Sequence, residues 1–186
     1  MTRRAPAPAS ESDTGAPPRE TDVLIVGGGP VGSALAIDLR LRGIRCAIVE
    51  RIQGIAYDMR AMNNDMRTME HFRGWGIADV HRACSPLPPS FQQDLVFCSA
   101  LYGQELGVFR AYGFRAEDAE PLAAEPGQPL SQKFTNVVLR RRAEELGTPV
   151  ATGWEFTELT QTARGVTADI APVDGGPATR VRAQAA

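Results

Sequence analysis

The sequence predicts an α/β fold, a parallel βαβ unit joined to an antiparallel β-meander. Three observations predict it. First, the apolar run Val23–Val26 leads into the turn GGGPVG, an amphipathic stretch, and a second apolar run from Cys46 to Val49. Second, the last third of the chain alternates apolar and polar residues in three short segments. Turn chemistry separates them, at Gly165 and at Asp174-Gly175-Gly176. Third, 43% of the 186 residues are hydrophobic, enough for a real core, and no apolar run reaches the length of a membrane-spanning helix.

Each part of the βαβ unit has a mechanical job. Gly27 allows the tight turn after the first strand, and Gly29 lets a backbone approach a pyrophosphate. Gly32 lets the helix pack close to the sheet. Pro30 suits the first helical turn, where its missing N–H is not needed. The free N–H groups at that helix start, Val31 among them, then face phosphates with the positive end of the helix dipole behind them. Glu50 ends the second strand about 20 residues on, where a carboxylate accepts hydrogen bonds from ribose hydroxyls. Strand, turn, helix, strand and distal acid in this order make a Rossmann-like dinucleotide fingerprint. A carboxylate at Glu50 disfavours a 2′-phosphate, and so NADP, at this site.

The later elements follow in order. A loop runs from Arg51 to about Asn63. A helix is expected from about Asn64 to Arg73, with Met66, Met69 and Phe72 on one face. Ile77–Cys84 continues as a helical turn or two, and Ser85–Ser90 is a proline-rich break. Leu95–Ala100 and Glu105–Ala111 form a strand pair around Tyr102 and Gly103. The acidic, proline-rich segment Phe114–Pro129 is expected to be a surface loop. Ser131 is a candidate N-cap for a helix to Leu146, with Gly147 as its C-cap. Pro149–Ala151 is a short strand. The meander takes Trp154–Thr162, Val166–Ala171 and Ala178–Ala183, with an exposed edge expected at Arg180–Ala183.

Net charge is −2, so nothing argues electrostatically for nucleic acid or a membrane surface. Residues 1–20 hold no Val, Ile, Leu or Phe and four prolines, and are expected to form a disordered tail ahead of a folded part 21–186. The amino terminus has no apolar signal-peptide core. Cys46, Cys84 and Cys98 lack CxxC spacing; reduced thiols in a cytoplasmic protein, two or more of them buried, are the expectation. The chain stops at Ala186, just after the third meander strand, so an incomplete domain is expected. Oligomeric state is left open, a homo-oligomer included.

Three separated motifs give the chain a resemblance. They are GGGPVG with Glu50-Arg51, Arg60-Ala61 followed by Asn63-Asn64 and MRTMEHFRGWG from Met66 to Gly76, and Leu130-Ser131-Gln132 opening a helix. The chain resembles the flavin-dependent aromatic hydroxylases, the p-hydroxybenzoate hydroxylase-like group, and within it the phenol and chlorophenol monooxygenase branch. The resemblance implies FAD as cofactor, NAD(P)H as co-substrate, and hydroxylation of a small phenolic substrate with O2. It implies that Gly27, Gly29 and Gly32 bind the pyrophosphate, Glu50 the adenosine ribose, Arg51 the adenine side, Arg60 the pyrophosphate, and Gln132 the ribityl–phosphate region. Arg67 is a weaker candidate beside the flavin. The family's later Asp-Gly and Gly-Asp motifs are absent, so the resemblance implies the amino-terminal part of such an enzyme, with no catalytic residue to name.

Other residues suggest less. His71 and His81 have no ligand-spaced partners, and Trp75 and Trp154 suit packing. Arg140, Arg141 and Arg142 could suggest an anion site, but a solvated helix end is the preferred reading, since the last half of a helix favours cations in any case. Two further readings stay open. One is another FAD-dependent oxidoreductase, a halogenase or reductase, for which Lys133 is misplaced. The other is a nucleotide-binding module without activity of its own.

Overall fold

The computed structural model describes residues 15–55, 60–87, 94–110 and 123–186. Tail residues 1–14, the end of the proline-rich break at Pro88–Ser90, Ala111 and most of the acidic loop lie outside them. The chain forms two compact units, one from the continuous stretch Arg60–Ser131 and the other from the described residues before and after it.

The second of these holds the βαβ unit. Strand β1 is Val23–Val26, helix α1 is Pro30–Leu41 and strand β2 is Cys46–Glu50. β1 pairs with β2 in parallel, Val23 opposite Cys46. The middle of β2 is buried from Cys46 to Val49, which is why it reads as an unbroken apolar run rather than an alternation. Further along, helix α4, Gln132–Glu145, leads to strand β7, Val150–Thr152, which pairs in parallel on the other side of β2. Gly147, at φ +82°, ends α4 and donates its amide to the Glu144 carbonyl. Arg40 Nε ties α1 to the end of α4 through the Leu146 carbonyl at 2.9 Å.

The meander is β8, Trp154–Thr162, β9, Gly165–Pro172, and β10, Thr179–Ala183, in sheet order β10-β9-β8. Its inward residues Val166, Ala168, Ile170, Val181 and Ala183 form one core with Leu24 and Val49 of the parallel sheet, and Trp154 and Phe156 pack against it. The opposite face of β2 meets α1, where Cys46 Sγ lies 3.7 Å from the Ala36 carbonyl. The parallel sheet therefore sits between meander and helix.

The meander edge expected to be open is covered. The Arg182 amide donates to the Arg19 carbonyl at 2.9 Å, and the Thr21 amide donates to the Arg182 carbonyl at 3.0 Å. Glu20 bridges Arg182 and Val23 bridges Ala185, both in parallel. Arg19 and Glu20, assigned to the tail by composition, thus belong to the folded unit. Backbone pairing asks nothing of side chains, so a polar segment can supply it.

The other unit contains β3, Asn63–Asn64, α2, Met66–Gly74, α3, Ala78–Ala83, β4, Leu95–Cys98, β5, Glu105–Phe109, and β6, Gln128–Pro129. Two expectations need correction. Asn64 is strand and not helix, since Asp65 caps α2 by accepting the Thr68 amide at 2.7 Å. Gln128–Pro129, expected within a loop, pairs antiparallel with Asn63–Asn64. Met69 and Phe72 are buried as the helical spacing requires, and Phe72 meets the buried His81 edge-on at 4.9 Å. Trp75 stacks on His71 at 5.6 Å. The cysteines are all free thiols, but only Cys46 is buried; Cys84 is half-buried and Cys98 exposed. Among the described residues no helix is long and apolar enough to cross a membrane.

Candidate functional site

The site is built on the turn between β1 and α1. Gly27 sits at φ +107°, a conformation that favours glycine, and its amide donates to the Val49 carbonyl at 2.8 Å, locking the turn to β2. Gly32 is required by packing, because a Cβ there would stand 1.9 Å from the Gly27 carbonyl oxygen and 3.1 Å from Ile25 Cγ2. Gly29 differs. Among the described residues, a Cβ on it would meet no atom within 4 Å beyond its chain neighbours, so their packing leaves that space open.

Gly29 is the N-cap of α1 and offers no side chain to cap it; Pro30 follows at the first position, and the first turn carries no acid. The Ser33 amide reaches the Gly29 carbonyl at 3.0 Å, the first bond of the helix. The amides of Val31 and Gly32 come before it and have no acceptor within the helix. The Val31 side chain is 80% exposed, so it does not cover them with a packed core. Open space in front of uncapped amides at the positive end of a helix suits an anion, and a pyrophosphate fits that description.

Glu50, at the end of β2, is held by two backbone amides. Its Oε2 accepts from Gly28 at 2.6 Å and its Oε1 from Ile52 at 2.8 Å. Each oxygen keeps lone-pair capacity for a further donor such as a ribose hydroxyl. Arg51 is exposed directly after it. Gln132 opens α4, half-buried, in the same unit. Ser131 precedes it, but its buried hydroxyl has no hydrogen-bond partner among the described residues, so it does not cap α4 by its side chain as expected. Arg60 lies in the other unit, exposed ahead of β3. Arg67, also in that unit, forms an exposed pair with Glu70 at 3.0 Å. The structure thus gathers the glycines, Pro30, Val31, Glu50, Arg51 and Gln132 within one unit.

Arg140 is the residue that sequence reasoning misplaced. It was expected on a solvated helix end and is 8% exposed. Its Nη1 donates to the Gly54 carbonyl and its Nη2 to the Gly28 carbonyl, the latter at 3.2 Å. Ser33 Oγ donates to the same Gly28 carbonyl at 3.2 Å. Burial lowers the guanidinium's affinity for its proton, and the charges of Glu144 and Glu50 oppose that effect. Arginine nonetheless keeps its charge in proteins. Arg141 is exposed and pairs with Glu145 at 3.1 Å. The signal for Arg140 was its helical spacing. Gln132, Asn136 and Arg140 recur every four residues on one face of α4, and Asn136 and Arg140 are both buried.

Comparison with known proteins shows the family of the chain. Residues 20–185 match the family described as FAD binding domain. Phenol 2-monooxygenase of Pseudomonas sp. (strain EST1001) is 32% identical over 154 residues, covering 81% of this chain and 25% of that protein. 2,4-Dichlorophenol 6-monooxygenase of Delftia acidovorans is 30% identical over 154 residues, covering 81% and 26%. The chain spans about a quarter of the length of these relatives. Among solved structures, the flavin-dependent monooxygenase PieE in complex with FAD and substrate superposes with TM-score 0.78 at 32% identity, covering 91% of this chain and 30% of that one. The rebeccamycin biosynthetic enzyme RebC with reduced flavin gives TM-score 0.76 at 31% identity, covering 90% and 32%. The chain belongs to the FAD binding domain family, that of the FAD-dependent aromatic hydroxylases.

Proposed function

We propose that this chain is the FAD-binding part of a monooxygenase that hydroxylates a phenolic substrate with NAD(P)H and O2. The observation that carries the reading is the uncapped start of α1 with empty space in front of Gly29. Within that reading the amides of Val31 and Gly32 hold the pyrophosphate. Gly27 and Gly29 leave it room, and Pro30 starts the helix without a competing donor. Glu50 accepts a ribose hydroxyl, keeping the Gly28 and Ile52 amides on its remaining lone pairs. Arg51 lies along the adenine, Gln132 reaches the ribityl–phosphate region, and Arg60 serves the pyrophosphate; the family resemblance supports these three roles.

When bound, FAD supplies the redox and oxygen chemistry. The residues of this chain bind it, orient it and replace water around its phosphates. The phenolic substrate class is supported by relatives named for phenol and dichlorophenol. A cytoplasmic setting is supported by free thiols, Cys98 among them exposed.

The test is a visible absorption spectrum of the chain after incubation with FAD and desalting. A retained flavin band is expected, and NAD(P)H oxidation with candidate phenols follows from it. A folded protein that stays colourless would remove the proposal that this chain holds FAD.

A further inference from the structure

We propose that Arg140 is a positioning residue for the cofactor: its guanidinium joins the Gly28 and Gly54 carbonyls and so holds the glycine turn in the shape that presents the start of α1 to a dinucleotide. The inference rests on the reading of this chain as an FAD-binding unit. It is carried by where the two acceptors lie. Gly28 is in the turn between β1 and α1, and Gly54 is in the loop after Glu50. Those are the two segments that hold the proposed pyrophosphate and ribose ligands, and one planar fork from α4 spans them.

The Gly28 residue is held at both of its polar groups. Its amide donates to Glu50 at 2.6 Å, while its carbonyl accepts from Arg140 and from Ser33. A Cβ at Gly28 would stand 3.1 Å from both Arg140 Nη2 and Glu50 Cβ, so the backbone there is boxed between the cation and the acid. A carbonyl anchored on a buried cation cannot turn its oxygen toward a phosphate, where it would repel. Ser33 alone leaves that carbonyl with one neutral donor. Arg140 thus keeps an acceptor out of an anion site without touching the anion.

Lysine keeps the charge but not the fork, so Arg140→Lys separates geometry from electrostatics. Two readouts are taken on the same protein. In the absence of FAD, amide hydrogen exchange should quicken in Arg140→Lys at Gly27, Gly28 and Ile52. The Ile48 amide, which donates to the Pro149 carbonyl in the sheet, should keep its protection. In FAD titrations followed by flavin fluorescence, the variant should bind about tenfold more weakly, the size of one lost charge-assisted hydrogen bond. Unchanged exchange in the turn would overturn the proposal. So would a uniform loss of protection that includes Ile48, which would mark Arg140 as a general support of the fold. FAD affinity equal to the parent chain's would overturn it too. If the parent chain itself takes up no FAD, the functional reading fails separately, and the exchange readout alone decides whether Arg140 holds the turn.

Discussion

The two units hold their apolar residues differently. In the nucleotide unit, Leu24, Val49, Ile170 and Val181 are each at most 1% exposed. In the other unit, the hairpin of β4 and β5 shows Leu95, Val96 and Phe97 at 46%, 48% and 48%, and Leu106 at 69%. In the nucleotide unit the meander strands β9 and β10 alternate because one face meets a core. The hairpin has apolar residues on both faces and neither is covered among the described residues, although Phe97 and Phe109 meet edge-on at 5.9 Å. The contrast teaches that a strand's sequence reports its register only where a core distinguishes its faces. It also implies that stability sits unevenly along the chain.

The sharpest way to break this comparison is Ile170→Ala. Ile170 is fully buried where the meander meets the parallel sheet, and its loss should cost about 3–4 kcal/mol in denaturant unfolding. A cost near zero would mean that the shared core does not carry the unit.

Acid should reach the other unit next. Burial holds the His81 imidazole down to about 4, and the Arg82 charge adds to the effect. The folded group therefore stays neutral where the unfolded one protonates. Stability is full above the ordinary value of 6.5 and falls as pH drops from there toward about 4. The loss is on the order of 3 kcal/mol at the low end. Asp65 and Glu70, whose carboxyls are held below their ordinary values by hydrogen bonds, from Thr68 and from the Ala124 amide respectively, lose their contributions in a more acidic window. Melting curves from pH 7 to 4 should show the decline, and His81→Leu should flatten it. A parent protein with no decline over that range would contradict the burial argument.

Smaller effects sharpen the picture. Asp65→Ala removes the only side-chain cap seen on α2 and should cost about 1 kcal/mol, read by thermal unfolding. Leu106→Ser, on the exposed hairpin, should change stability by less than about 0.5 kcal/mol while lowering light scattering at high concentration. A larger loss would show that the hairpin is buried after all.

The sequence disclosed those elements whose side chains carry their pattern and hid those held by backbone alone. The βαβ unit was legible from Val23 to Glu50 because strand, turn, helix and acid each leave a mark in side chains. The meander was legible because Val166, Ala168 and Ile170 alternate against a core. The short β3–β6 pair was not, since Asn63-Asn64 and Gln128-Pro129 carry no apolar period. The pairing of Arg19–Thr21 with β10 was hidden for a related reason: its bonds are all backbone. At the site, the glycines and Glu50 stood out, but Arg140 looked like its neighbours Arg141 and Arg142. Only its place on the buried face of α4, in step with Asn136 and Gln132, separates it from them.

If the start of α1 is shaped for a ligand, two glycines three residues apart should respond differently to substitution. Gly32 is closed in by protein, and Gly29 faces open space. FAD titration of the parent chain, Gly29→Ala and Gly32→Ala, with unfolding measured on each without FAD, separates the two roles. Gly29→Ala should unfold within about 1 kcal/mol of the parent, the usual range for an N-cap change, yet bind FAD far more weakly. Gly32→Ala should be destabilised even without FAD, by about 3 kcal/mol. Full FAD affinity in Gly29→Ala would mean that the space in front of α1 is not where the cofactor's phosphates sit.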